Sequence, residues 1–351
     1  MILMTIKEIA KRANVSQGTV DRVIHNRGKV AKEKKERILK IMEEVDYKPN
    51  IYARGLVLNK TYKIVALVPE FNAGEYWEVP SRGIKKAVED FEQFGIKIEF
   101  SYFDQNEIQS FKDQADLILM TKPDGVIIAP VINFEAVKLT SRLNKMQIPF
   151  SLIDSNIPNS GTISYIGQDA FQSGRLAAKL LYSCTRGSNL LIVSIKNNEN
   201  HNKTLQKRIE GFNDYLLKGE DYTDIELEEI IINQRERNWK KNLETFLMKK
   251  KPDGIYVPSS KVHFVAEFLY NHNNFSCSLV GNDLIQNNTY YIESGTIDYV
   301  IGQRPETQGY LALESFYKYL VSKQTVKKIQ YLPLDIITKE NLSYYNNIML
   351  R

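Results

Sequence analysis

The chain has 351 residues, 43% hydrophobic and 25% charged, a composition that can build full cores and excludes disordered, collagen-like and coiled-coil proteins. Residues 1–60 hold 14 of the 47 basic and 7 of the 42 acidic residues, a net of +7, whereas residues 61–351 carry −2. A small basic segment joined to a large, nearly neutral one indicates a polyanion-binding module attached to a different module.

The sequence predicts a cytoplasmic protein. Its uninterrupted apolar runs, such as Ile64–Pro69, are too short to cross a bilayer, and Met1–Ile6 is not followed by the apolar segment of a secretory signal. Cys184 and Cys277 match neither a disulfide framework nor a metal-binding spacing, as expected in a reducing compartment.

Residues 5–46 are predicted to form three short helices. Asn14 suits the left-handed backbone of a tight turn, and Ser16 is a suitable N-cap for a second helix over Gln17–His25. The third helix has a basic outward face. Two helices joined by a tight turn, with a polar second helix, indicate a helix-turn-helix DNA-binding head. A three-helix protein-binding module is the alternative.

Three stretches, TIKEIA (5–10), VSQGTVDRVI (15–24) and YKPN (47–50), closely resemble the head of lactose-repressor (LacI) family regulators. The resemblance implies a homodimer that places two recognition helices in adjacent major grooves of a pseudo-palindromic operator. Ala31 stands where the family usually has a serine cap, so we expect the third helix to begin less firmly.

Gln17 and Arg22 are the expected base readers, because arginine can pair with guanine and glutamine with adenine through two hydrogen bonds. Asp21 replaces the serine usual in the family, and its carboxylate would orient an arginine or accept from a cytosine amino group. Phosphate contacts position a protein without specifying sequence. We predict them for Thr5, Ser16, Thr19, His25, Lys29 and Lys34.

Residues 49–61 are predicted to form a linker with a short hinge helix, which would be unstable alone in water. The family resemblance implies that paired hinge helices order in the minor groove, where a leucine wedges into the central base step. We predict these contacts for Asn50, Ala53, Arg54 and Leu56. A disordered linker is the alternative. If the hinge folds only on DNA, a ligand that changes the spacing of the attached cores changes DNA affinity.

From Tyr62 onward, short apolar strands alternate with amphipathic helices, which predicts α/β lobes with doubly wound parallel sheets and a ligand cleft between them. KPDGVII (122–128) and KPDGIYV (251–257) hold equivalent places in two halves and indicate two similar lobes. The predicted domains are a head at 1–48, a hinge at 49–61, lobe 1 at 62–164 with 298–325, and lobe 2 at 165–297 with 326–351.

Ligands bind such sheets at the carboxyl ends of the strands, so residues that follow strands nominate the pocket. Tyr76 and Trp77 are adjacent aromatics of the kind that stack on sugars or bases, and carboxylates and amides suit vicinal hydroxyls. By this rule the effector site contains Tyr76, Trp77, Asp154, Ser259, Asp283 and Gln303. Asp169 is expected to be structural, because an aspartate at a strand end is often a helix cap.

The body resembles sugar-binding repressor cores and periplasmic ribose-type binding proteins, diffusely, over residues 62–340. The resemblance implies that Tyr76 and Trp77 stack on the ligand and that Asp154, Asp283 and Gln303 bind hydroxyls. Relatives usually carry a ligand-binding arginine just before the segment Glu210–Phe212. Gln206 falls at that position, so we expect it to bind the effector, and the loss of the arginine disfavours acidic ligands.

The sequence therefore predicts a regulator, acting as a repressor, that binds operator DNA as a dimer and senses a small sugar-like effector. A purine or nucleoside effector is one alternative, and a transporter's solute-binding protein is another. We find no phosphate loop, dinucleotide fingerprint, metal cluster or nucleophile elbow, so no catalytic residue, metal or cofactor is predicted.

Overall fold

A computed structural model describes residues 6–24, 30–45, 60–185, 188–196, 203–218, 225–272 and 275–349. The chain separates into two compact units, a head unit at 1–59 and a core unit at 60–351. None of the helices in these described ranges has the length and apolar character needed to cross a membrane.

The described part of the head contains three helices, α1 (Ile6–Ala13), α2 (Gln17–Ile24) and α3 (Lys32–Glu44). Their buried side chains form a small apolar core made of Ile9, Ala10, Ala13, Val20, Val23 and Ile38. Asn14 adopts the predicted left-handed backbone with φ of 51°, and Ser16 Oγ accepts from the Thr19 amide at 3.2 Å to cap α2. Ala31 is the N-cap residue of α3 and makes no side-chain cap.

The core unit alternates strands and helices along the chain. In order it contains β1 (Tyr62–Pro69), α4 (Glu78–Phe91), β2 (Ile96–Phe103), α5 (Ile108–Thr121), β3 (Gly125–Ile128), α6 (Asn133–Lys145), β4 (Phe150–Asp154), β5 (Ser164–Gly167), α7 (Ala170–Cys184), β6 (Asn189–Lys196), α8 (Lys203–Lys218), β7 (Glu226–Asn233), α9 (Trp239–Lys250), β8 (Gly254–Val257), α10 (Val262–Asn271), β9 (Ser278–Asn282), α11 (Gln286–Glu293), β10 (Tyr299–Gly302), α12 (Pro305–Phe316), β11 (Ile329–Tyr331), β12 (Asp335–Ile337) and α13 (Leu342–Met349).

These strands form two six-stranded sheets, one in each lobe, which confirms the predicted fold class. The first has the order β11-β5-β4-β3-β1-β2, and the second has the order β12-β10-β9-β8-β6-β7. Strand β10 pairs with β9 in parallel and with β12 antiparallel, whereas β11 joins β5 in parallel. Strands β1, β3 and β8 are buried almost throughout, as expected for parallel strands covered by helices on both faces.

The lobe boundaries differ from the predicted ones by short strands. β5 pairs with β4 in the first sheet, so the chain leaves lobe 1 after 167 rather than after 164. β10 pairs with β9 in the second sheet, which moves 299–302 from lobe 1 to lobe 2, and β11 at 329–331 returns to lobe 1. Strands of three or four residues carry little periodic signal, so their sheet is decided by pairing partners distant in sequence. The chain therefore changes lobe near 168, 303 and 333.

Helices α7 and α8 approach each other closely at two glycines. A Cβ at Gly174 would lie 1.8 Å from the Arg208 carbonyl oxygen, and one at Gly211 would lie 1.9 Å from the Phe171 carbonyl oxygen. Helix α8 carries Arg208, so this contact fixes how deeply that side chain enters the core unit.

Gly174→Ala should destabilise the core unit by about 2–3 kcal/mol, because the added methyl group meets backbone atoms that can move only with the whole helix. Urea unfolding of the core transition measures the change. Lys179→Ala, on the exposed face of the same helix, is the matched control and should stay within about 0.5 kcal/mol of the unmodified protein. Equal stabilities for both variants would contradict the close helix contact.

Candidate functional site

Helix α2 presents a polar face on the head. Gln17, Gly18 and Arg22 are exposed, while Val20 and Val23 face the head's core. Ser16 and Thr19 are joined by a hydrogen bond of 2.9 Å between their hydroxyl groups, so the cap of α2 uses both side chains. Lys34 on α3 is exposed, and Asp21 is half-buried. The predicted contacts Thr5, His25, Lys29, Asn50, Ala53, Arg54 and Leu56 lie outside the described residues.

The core unit contains a cleft between its two lobes, with a cavity of about 320 Å³ where the carboxyl ends of the strands meet. Its lining includes most of the predicted effector residues, namely Tyr76, Trp77, Asp154, Ser259 and Asp283. This volume lies at the lower end of the range for small-molecule sites, about 300–1,000 Å³. Residues chosen because they follow strands thus line the cleft from both lobes.

Asp154 and Asp283 occupy matching positions, at the end of β4 in one lobe and just after β9 in the other. Both have a left-handed backbone, with φ of 65° and 68°, a conformation that aspartate tolerates better than most residues. The Tyr76 hydroxyl donates to Asp154 Oδ1 at 2.8 Å, and Gln303 Nε2 donates to Asp283 Oδ1 at 2.7 Å. The two lobes thus each direct one buried carboxylate toward the same end of the cleft.

Gln303 lies behind the carboxylates, at a point where the chain changes lobe. It is 1% exposed, and its Nε2 also lies 3.4 Å from Asp154 Oδ1. Its Oε1 accepts from Gln168 Nε2 at 2.9 Å and from Gln308 Nε2 at 3.1 Å, which fixes the orientation of its amide group. The prediction that Gln303 lies among the cleft-lining residues needs correction, because this side chain holds the two carboxylates in place from beneath.

Arg208 also lines the cleft, although it was not predicted from the sequence. It is 2% exposed, and its Nη1 donates to the Pro258 carbonyl at 2.8 Å. Its Nη2 lies 3.7 Å from Asp283 Oδ1, and within the described part of the chain Nε and Nη2 have no hydrogen-bond partner. A buried guanidinium with two unsatisfied donors in a cleft is a group arranged to meet a ligand.

Gln206 was predicted to face the effector, and the structure contradicts this. Gln206 is exposed, whereas Thr204, Arg208, Gly211 and Phe212 form the buried face of α8. Helical spacing of three or four residues from Gly211 and Phe212 selects Arg208 and excludes Gln206. An arginine therefore does reach the cleft, and the reason for disfavouring acidic ligands no longer holds.

Burial sets the protonation behaviour of the two carboxylates. Desolvation raises the pKa of Asp283 to about 6, although the nearby Arg208 guanidinium opposes the shift. Desolvation also raises the pKa of Asp154, again opposed by Arg208. Two carboxylates around one guanidinium leave the inner end of the cleft with acceptors for hydroxyl groups and a charged donor.

The two aromatic residues that the resemblance implied to stack on the ligand both line the cleft. The rings of Tyr76 and Trp77 meet edge to face, with centroids 5.1 Å apart, and Trp77 is 7% exposed.

Asp169 caps α7 by accepting from the Gln172 amide at 3.1 Å, so its predicted structural role is confirmed.

Contacts across the mouth of the cleft join the lobes. Arg235, which follows β7, donates through Nη2 to Glu107 Oε1 at 3.0 Å and to the Asn106 carbonyl at 3.4 Å. Because both charged side chains are about half exposed, such a pair contributes only about 0–1 kcal/mol. The lobes are thus held together here by a contact weak enough for a ligand to outweigh.

Two family profiles match this chain. Residues 5–50 match bacterial regulatory proteins of the lacI family, and residues 65–324 match a periplasmic binding protein domain. The chain is 32% identical to the NTD biosynthesis operon regulator NtdR of Bacillus subtilis, over 48% of this chain and 49% of that protein. It is 26% identical to catabolite control protein A of Staphylococcus xylosus, over 72% of each chain. It is 28% identical to the repressor PurR of Haemophilus influenzae, over 60% of this chain and 59% of that one.

Solved structures resemble the core unit. A crystal structure assigned as a LacI transcriptional regulator from Bacteroides fragilis superposes with a TM-score of 0.76 at 27% identity, covering 82% of this chain and all of that one. GanP, a glucose-galactose binding protein from Geobacillus stearothermophilus, superposes with a TM-score of 0.70 at 24% identity, over 81% of this chain and 99% of that one, and shows the same fold.

Proposed function

Because the chain belongs to the LacI family of bacterial regulatory proteins, with a periplasmic binding protein domain following its helix-turn-helix head, we propose that it is a ligand-responsive transcriptional repressor. It binds a pseudo-palindromic operator as a homodimer in the cytoplasm. Its effector is a small polyhydroxylated molecule of the sugar class, bound in the cleft between the lobes.

The proposal of a polyhydroxylated effector rests on Asp154, Asp283 and Arg208, which all line the cleft. Each carboxylate can accept hydrogen bonds from two hydroxyl groups, and the unsatisfied Nε and Nη2 of Arg208 can donate to a hydroxyl or ring oxygen. Such charge-assisted hydrogen bonds are the strong ones, and in this cleft they come from both lobes. A polyol bound there would therefore hold the lobes together.

A purine or nucleoside effector is the second candidate, favoured by the presence of Tyr76 and Trp77 in the lining. Trp77 is only 7% exposed, which leaves little of its ring for a base to stack on. The role of a transporter's solute-binding protein is less well supported, because it does not account for the lacI-type head at residues 5–50.

The switch follows from the connection of the two units. Closure of the cleft around an effector changes the relative position of the lobes, and hence the spacing of the chain segments that lead from two cores to two heads. Leu56 and its neighbours are the proposed minor-groove contacts that respond to this spacing. An effector acts on DNA affinity through this linkage without touching DNA.

Thermal-shift screening of the full chain against sugars, nucleobases and nucleosides tests the effector class. A ligand at 100 times its dissociation constant stabilises a protein by about 2.7 kcal/mol, which gives a clear shift. Stabilisation by nucleobases or nucleosides alone would replace the sugar proposal with the second candidate.

Arg22→Ala should reduce discrimination at one base pair in each half-site by about 1–3 kcal/mol, because an arginine side chain on this exposed face of α2 can read guanine. Binding-site selection followed by titration of single-base variants measures the change. Lys34→Ala is the control, and should weaken binding to all sequences alike and lower the salt dependence by about one charge. Unchanged base preference in Arg22→Ala would remove it from the readout.

A further inference from the structure

The cleft has a second, cationic side that the carboxylates and their hydroxyl partners leave unused. Strand β8 ends at Val257, and the chain continues through Ser259, Ser260 and Lys261 into α10, whose first residue is Val262. These three residues line the cleft, and Lys196 at the end of the neighbouring strand β6 lines it as well. Two lysines and two hydroxyl groups thus lie on the lobe 2 side.

Helix geometry adds to the positive potential at this place. Lys261 is the N-cap residue of α10, a helix of 10 residues, and it makes no side-chain cap. The amide of Lys261 donates to Ser259 Oγ at 3.4 Å and that of His263 to Asn288 Oδ1 at 3.2 Å, so the contribution of this N-terminus is the positive end of the helix dipole, which favours an anion nearby. The cleft-lining serines lie directly before this N-terminus, where their hydroxyl groups can donate to the same ligand group.

Arg208 connects this side of the cleft to the carboxylate side. Its Nη1 donates to the carbonyl of Pro258, the residue directly before Ser259. The guanidinium is 2% exposed, and Nε and Nη2 have no hydrogen-bond partner among the described residues. This buried, unsatisfied donor lines the same cavity as the Ser259–Lys261 segment and points to a ligand acceptor there.

An acidic residue of the opposite lobe, Glu75, only partly offsets this positive side. Both carboxylate oxygens of Glu75 accept hydrogen bonds from Asn72, at 3.0 Å from the amide nitrogen and 3.3 Å from the side chain. Lys261 Nζ donates to Gln234 Oε1 at 2.5 Å, which is a neutral partner. Burial lowers the pKa of Lys261 to about 8 despite the attraction to Glu75, so a ligand anion would stabilise the ammonium group further.

Resting on the proposed sugar-binding function, we propose that the effector is an acidic sugar. Its hydroxyl groups bind Asp154 and Asp283, and an anionic group, a phosphate ester or a carboxylate, binds at Ser259, Ser260 and Lys261. Lys261 is then the residue that selects acidic over neutral sugars.

Isothermal titration of the full chain with matched ligands tests this. The series is D-glucose, D-glucose 6-phosphate and D-glucuronate, with D-ribose and D-ribose 5-phosphate as a second set. In at least one set an acidic member should bind roughly tenfold or more tightly than its neutral partner, since charged partners strengthen hydrogen bonds. The phosphate and carboxylate arms distinguish the two anionic groups.

Variants then assign the preference to Lys261. The ratio of acidic to neutral affinity should fall about tenfold in Lys261→Gln and persist in Lys261→Arg, which keeps the charge. Lys249→Gln is the control, because Lys249 is an exposed lysine outside the cleft lining, near the end of α9. Neutral sugars binding as tightly as acidic ones, or a ratio unchanged in Lys261→Gln, would overturn the inference and leave the sugar-binding function standing. Absence of binding by every sugar would overturn both.

Discussion

Replacing Arg208 with methionine should abolish effector binding and destabilise the core unit by about 3–5 kcal/mol, the usual result of removing one partner from a buried charged group. Asp154 and Asp283 would then face each other without the guanidinium that now lies 3.7 Å from Asp283. The ligand would also lose the donors Nε and Nη2. Head folding and contacts with DNA bases do not involve this residue, so residual DNA binding should persist without a ligand response.

A double variant separates the two consequences. Adding Asp283→Asn to Arg208→Met removes one of the uncompensated carboxylates and should recover part of the lost stability, while effector binding stays absent. Lys207→Met is the matched control, because Lys207 is the exposed neighbour on α8 and pairs only with Glu210 in the described structure. Chemical unfolding and ligand titration read the two effects. Full ligand response in Arg208→Met would exclude Arg208 from the site.

Asp283→Asn should have opposite effects on binding and on stability. Effector affinity should fall about 10- to 100-fold, the value of one hydrogen bond to a charged group. The ligand-free core unit should become more stable by about 1–3 kcal/mol at neutral pH, since ionised Asp283 is buried at a cost.

The pH dependence identifies the cause. The folded pKa of Asp283, about 6, is higher than the value of about 3.9 in an unfolded chain. The folded state therefore binds the proton more tightly than the unfolded state does. The resulting contribution to the free energy of unfolding is fully present below about pH 4 and is lost as the pH rises through about 6. The amide introduced by Asp283→Asn does not titrate, so the two proteins should be similarly stable below about pH 4, diverge between about pH 4 and about pH 6, and differ by a constant amount above that range. Unfolding free energies from about pH 3.5 to about pH 8 measure this. Parallel curves would contradict a raised pKa at Asp283.

Much of the fold and part of the site could be predicted from the sequence. The head follows from local signals, such as Ser16 as a cap and Asn14 in a left-handed turn, because these depend on neighbouring residues. Asp154 and Asp283 could be predicted because parallel strands bring their carboxyl ends to one edge of a sheet. The local turn and cap residues and the positions that follow strands can both be identified without knowledge of tertiary contacts.

The remaining features depend on contacts between distant parts of the chain. Sequence position alone suggested Gln206, whereas the buried face of α8, set by packing of Gly211 against Phe171, selects Arg208. Gln303 could be expected near the cleft, but its place beneath the carboxylates depends on Gln168 and Gln308, which are joined to it only in the folded core. Short strands such as β5 likewise take their sheet from their partners.

The most direct test of ligand-responsive DNA binding is selection of genomic DNA fragments by the full chain, with and without a ligand found in the thermal screen. We expect enrichment of pseudo-palindromic fragments and a change in that enrichment when ligand is added. The double variant Gln17→Ala, Arg22→Ala should lose specific enrichment, and Asp283→Asn should lose only the effect of the ligand. Equal enrichment by the unmodified chain and the Gln17→Ala, Arg22→Ala variant would contradict DNA recognition by the head. A ligand effect that persists unchanged in Asp283→Asn would contradict effector binding in the cleft.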